Sequence, residues 1–115
     1  GGAGAAAGVA LGAVEDFPAG TVKPFQDRKL AVVADDEGLY CLSLVCTHAG
    51  ATLAFDEAAD GFACPLHGAV FARDGSVQKP PAMSDLPWYA VRVEEGTVYA
   101  DPDTTVPKGT KTTVA

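Results

Sequence analysis

From Phe17 onward the apolar residues of this chain fall in short runs broken by turn signals, and none of the runs has a helical period. "KLAVVAD" (29–35) and "GLYCLSLVC" (38–46) read as strands joined by a turn at Asp35–Gly38. Within the second, alternation sets Cys41, Ser43 and Val45 on one face and Leu42, Leu44 and Cys46 on the other. "GFAC" (61–64) and "AVFAR" (69–73) are predicted as short strands; Asp74–Gly75 is a hairpin turn signal, with "SVQ" as the return strand. "WYAVRV" (88–93) and "TVYAD" (97–101) form a hairpin across Glu94–Gly96, with Tyr89, Val91 and Val93 opposite Trp88, Ala90 and Arg92. The tail from Pro102, rich in Thr, Pro and Lys, is expected to be an irregular surface strap. The fold class that follows is all-β: a small antiparallel sandwich-like base with loops projecting at one tip.

The first fourteen residues, "GGAGAAAGVALGAV", depart from this pattern, holding only Gly, Ala, Val and Leu. They are too few to span a bilayer, which takes about 20 apolar residues. If the segment is helical, Gly4, Gly8 and Gly12 share a face, the spacing at which transmembrane helices pack closely. No Lys or Arg precedes Lys23, and Glu15 and Asp16 follow directly, as for a helix leaving a membrane on its non-cytoplasmic side. Residues 1–14 are therefore read as the end of a membrane anchor or export signal, with a flexible linker as the alternative. The chain opens on "GG" rather than Met, and further residues are expected upstream. Residues 15–115 are read as one domain, whose loop-bearing tip spans about 45–76.

Composition narrows the function. Thirteen glycines and eight prolines in 115 residues favour a turn-rich β fold. A formal net charge of −7 without any basic run argues against nucleic acid and against a polybasic membrane patch. Three cysteines are too few for a disulfide scaffold.

Both histidines stand beside two of those cysteines. Cys46 and His48 form a C-x-H pair, Cys64 and His67 a C-x-x-H pair, and 15 residues lie between His48 and Cys64. Each pair ends a predicted strand and is followed by a glycine, Gly50 or Gly68, which lets a loop fold tightly round a metal. Zinc would accept two thiolates and two imidazoles, but its sites usually pair Cys with Cys and His with His. Copper would take two imidazoles, one thiolate and an axial Met83, leaving the second cysteine idle. A 2Fe–2S cluster with one iron on two thiolates and the other on two imidazoles uses all four groups.

"CTHAG" (46–50) and "CPLHG" (64–68) resemble the paired cluster-binding loops of Rieske iron–sulfur proteins, and the likeness extends over most of the chain after Val14. The resemblance implies a 2Fe–2S cluster with Cys46 and Cys64 on the inner iron and His48 and His67 on the outer iron. It also implies that Pro80–Ala82 belong to a proline-containing loop covering the cluster. High-potential members carry a further cysteine in each loop, joined by a disulfide, where this chain has Ala51 and Leu66. They also carry Ser and Tyr hydroxyls that donate to sulfur, where this chain has Ala69 and Phe71. The midpoint potential is therefore expected below about +150 mV, within a range of about −150 to +300 mV for histidine-ligated clusters. Cys41 is read as a buried core residue.

The likeness implies one-electron transfer without catalysis of its own, since the chain is too short for an oxygenase's second iron domain and has no histidine to spare. The reading is a tethered subunit of a hetero-oligomeric respiratory or photosynthetic complex, on the extracytoplasmic (periplasmic) side of a bacterial membrane. Its redox partners would be a cytochrome or a quinol-oxidising membrane subunit. The alternative is a cytoplasmic Rieske ferredoxin serving a ring-hydroxylating oxygenase.

Overall fold

The computed structural model describes residues 8–47, 50–66, 68–82 and 84–114. Among the described residues, ten strands form two antiparallel sheets: β1 (Val9–Ala13), β2 (Val22–Phe25), β3 (Leu30–Asp35), β4 (Gly38–Ser43), β5 (Ala54–Asp56), β6 (Gly61–Ala63), β7 (Val70–Ala72), β8 (Val77–Lys79), β9 (Trp88–Glu94) and β10 (Thr97–Val106). The base sheet has the order β1-β10-β9-β4-β3-β2, and β5-β6-β7-β8 make a smaller sheet. Helical residues among those described are confined to 3-10 turns at Val14–Asp16 and Gln26–Arg28.

The base folds on itself at a short seam, where β4 meets β9 only through Cys41↔Tyr89 and Leu42↔Trp88. The two halves enclose one core: Phe17, Leu30, Val32, Ala34, Leu39, Cys41, Val98 and Ala100. Residues alternating with these in β3 and β4, namely Ala31, Val33, Tyr40 and Leu42, face a second core shared with the small sheet. That is why "KLAVVAD" is almost continuously apolar: both faces of β3 are buried. Cys41 takes the core position alternation assigns it, with 0% exposure, and burial pushes its thiol pKa up to about 12.

An aromatic pair joins the sheets. Tyr40 and Trp88 stack with centroids 4.1 Å apart and planes 4° from parallel. Trp88 Nε1–H donates to Asp74 O at 2.7 Å and the Tyr40 hydroxyl to Arg73 O at 3.4 Å, so both rings hold the β7–β8 turn.

Two expectations change. Val9–Ala13 form an edge strand paired with β10 rather than a helix, and Leu11 and Val14 pack against the base core. The fold therefore begins before Glu15; Gly8 and Gly12, with φ of 97° and 142°, serve a strand whose register shifts between Ala10 and Gly12. Gly4 lies outside the described residues. The tail is also more regular than its composition suggests: β10 continues to Val106, pairing Thr105 with Tyr89 and Val106 with Trp88. The register shift between Asp101 and Thr105 accommodates Pro102, which has no N–H to give a ladder. The strap proper starts at Pro107.

The smaller sheet tolerates no side chain at Gly61, where a Cβ would stand 2.2 Å from Phe71 O. Gly61→Ala is expected to lower stability by about 2–4 kcal/mol, because backbone must shift to admit the methyl. Thermal unfolding followed by far-UV circular dichroism measures it.

Candidate metal centre

Both cysteine turns are built the same way. The Gly50 N–H donates to Cys46 O at 2.9 Å, and the Cys46 N–H donates to Ala51 O at 2.8 Å. In the second turn Gly68 donates to Cys64 O at 3.2 Å, and Cys64 to Ala69 O at 2.8 Å. The sequence signal is the shared Cys-x-x-x-Gly-Ala spacing, residues 46–51 and 64–69. The glycines close the turns through backbone conformation, at φ of 73° and 76°; a Cβ on either would meet nothing within 4 Å.

Each turn is anchored at its base. Val45 bridges Thr52, and Leu53 donates to Leu44 O at 2.7 Å, which ties the first turn to the base sheet. The second turn lies between β6 and β7, whose residues Phe62 and Phe71 are directly paired. Cys46 and Cys64 are buried, at 2% and 3% exposure, in one core with Leu44, Leu53, Phe62, Ala69, Phe71, Ala82 and Leu86. No disulfide joins the cysteines of the described residues. A cleft of about 930 Å³ between Phe17, Asp36, Leu39 and Val93 has neither Cys46 nor Cys64 in its lining.

Two cysteines seated in one apolar core, each on a turn of the same geometry, suit an iron–sulfur cluster. His48, His67 and Met83 lie outside the described residues. The positions of a loop disulfide diverge in character: Ala51 packs against the core, while Leu66 is 64% exposed.

The third loop comes to the same place. Ala82 is 3% exposed in the core that holds both cysteines. The Thr47 hydroxyl, one residue after Cys46, donates to Ser84 O at 2.8 Å. Sequence reasoning missed this tie, because a Thr in a loop and a carbonyl 37 positions away leave no pattern.

These features define a small all-β iron–sulfur domain with two cysteine turns under a covering loop. The family model of the Rieske [2Fe-2S] domain matches residues 8–90, and the chain belongs to that family. Its cofactor is a Rieske-type 2Fe–2S cluster. The chain is 40% identical over 92 residues to the cytochrome b6-f complex iron-sulfur subunit of Chlorobaculum tepidum, covering 78% of this chain and 51% of that one. It thus spans about half the length of that relative. Among solved structures, the plasma membrane Rieske protein PetC3 from Synechocystis PCC 6803 is 32% identical with a TM-score of 0.65, covering 81% of this chain and 98% of that one. The ferredoxin of carbazole 1,9a-dioxygenase from Nocardioides aromaticivorans IC177 is 25% identical with a TM-score of 0.58, covering 84% and 99%.

Proposed function

We propose that this chain is the cluster-bearing head of a one-electron carrier in a membrane-bound quinol-oxidising complex, tethered on the extracytoplasmic side through residues preceding β1. The observation that carries the reading is the 40% identity to a cytochrome b6-f iron-sulfur subunit across 78% of the chain. Cys46 and Cys64 bind one iron, His48 and His67 the other. Bound there, the cluster supplies a one-electron couple; the chain contributes no catalysis of its own.

Charge placement supports exchange at the tip. No Asp, Glu, Lys or Arg occurs between Gly38 and Phe55 or between Gly61 and Ala72, the two stretches that carry the ligands. Carboxylates gather at the other end of β4, where Glu15, Asp35 and Asp36 line one cleft. The two ligand-bearing stretches therefore carry no charged side chain and leave Leu66 exposed, suited to an apolar partner face.

A soluble ferredoxin is the second reading, favoured by the dioxygenase ferredoxin's likeness over 99% of its length and by the absence of a loop disulfide. Fractionation of cells making the full-length natural protein separates the two. The tethered subunit is expected in the membrane fraction, digested by protease added outside spheroplasts, with its cluster bleached by a short-chain quinol. Recovery in the soluble cytoplasm, with reduction only through a flavin reductase, would establish the ferredoxin instead.

A further inference from the structure

We infer that the C-terminal strap, residues 107–114, clamps the loop that packs over the two cysteines, and that Lys108 is the positioning residue of this clamp. Lys108 Nζ reaches Asp85 Oδ2 at 3.1 Å and Asp74 Oδ2 at 3.8 Å, and hydrogen-bonds the Ser76 hydroxyl. Asp85 belongs to the covering loop, while Asp74 and Ser76 belong to the β7–β8 turn.

From Asp85 the contacts run directly to the site. Its Oδ1 accepts the Val77 N–H at 2.9 Å, and Leu86 donates to Gly75 O at 2.8 Å. Ser84, next in the chain, accepts the Thr47 hydroxyl beside Cys46. Ala82 and Leu86 lie in the core that encloses Cys46 and Cys64. One lysine thus holds the loop from outside while two of its residues pack on the cysteine core from inside.

A clamp needs a fixed root, and the strap has one. Thr112 exchanges both backbone hydrogen bonds with Leu39 at 2.8 Å, and its hydroxyl donates to Val91 O at 2.7 Å. Lys111 Nζ lies 2.6 Å from both Asp35 Oδ2 and Glu37 Oε1. Gly38 permits this approach, since a Cβ there would stand 2.2 Å from Thr112 O. The strap therefore spans from the base sheet, across the Tyr40–Trp88 stack, to the small sheet and its covering loop. The Val77 N–H and then Lys108 hold the Asp85 carboxyl below its usual range, so Asp85 faces the lysine as a carboxylate at neutral pH.

Without Lys108 the loop keeps its packing but loses its outer tether, and it opens more often. The pair is half exposed, so its hold weakens with salt. This inference rests on the cluster reading above, and the test separates the two. Wild type, Lys108→Ala, Lys108→Arg and Asp85→Asn are compared as full chains. Hydrogen exchange is followed in a peptide covering residues 75–88, in the cluster-free protein, and loss of visible absorbance under a chelator in the loaded protein.

Lys108→Ala is expected to raise both rates about threefold, the size of effect an exposed ion network supports. Asp85→Asn should do the same, and Lys108→Arg should stay near wild type. Raising ionic strength should accelerate the wild type but not Lys108→Ala. Unchanged exchange in Lys108→Ala, or equal impairment by Lys108→Arg, overturns the clamp. Wild-type protein that binds no cluster overturns the cofactor reading alone, because the exchange measurement still decides the clamp.

Discussion

Cys46→Ala and Cys64→Ala proteins are each expected to purify colourless, with iron and acid-labile sulfide near zero, whereas Cys41→Ala keeps the full cluster. The contrast follows from which face of the sheet each thiol occupies. Cys46 and Cys64 open the two matched turns and share a core. Cys41 sits on the opposite face of β4, among Leu30, Val32 and Val98. There burial raises its pKa to about 12, which disfavours the thiolate that iron requires. Cys→Ala at these buried sites removes one sulfur from a packed core, a loss of roughly 1–2 kcal/mol that should leave the fold standing. Far-UV circular dichroism verifies folding, and iron, sulfide and visible absorbance report the cluster. His48→Ala and His67→Ala should also lose the colour. A Cys64→Ala protein with full iron and sulfide, or a Cys41→Ala protein without them, would remove the basis for the ligand assignment.

The same alternation explains what could be read in advance. In "GLYCLSLVC" period-two patterning separates Cys41 from Cys46, and the structure divides them between two cores. The turns were legible because glycine repeats at a fixed distance from each cysteine, and the backbone closes at that distance. What escaped was long-range or compositionally disguised. β1 is made of Gly, Ala, Val and Leu, and only pairing with β10 makes it a strand. Pro102 signals an end, yet a shift of register carries β10 past it to Val106. β2 holds Pro24 and is not among the strands the pattern predicts, but as an edge strand it has one side without a partner and can spare an N–H. The Thr47–Ser84 and Lys108–Asp85 contacts join residues 37 and 23 positions apart, a separation no local pattern encodes.

Ala69→Ser and Phe71→Tyr are expected to raise the midpoint potential of the cluster, each by roughly 40–90 mV, from a wild-type value below about +150 mV. Ala69 and Phe71 are fully buried in the core that holds Cys46 and Cys64, and neither side chain has a hydrogen to donate. Sulfur gains negative charge on reduction, so a donor aimed at it stabilises the reduced state more than the oxidised one. If that difference is about 1–2 kcal/mol, it corresponds to this shift, since a tenfold change in a one-electron equilibrium is about 59 mV. Burial in an apolar core strengthens the effect, because no water competes for the new hydroxyl. The control is Phe71→Leu, which changes volume but adds no donor and should leave the potential unraised. Redox titration followed by visible circular dichroism measures all four proteins. A wild-type midpoint above +150 mV would mean that other donors already serve the sulfurs. Equal potentials in Phe71→Tyr and Phe71→Leu would mean that position 71 does not face them.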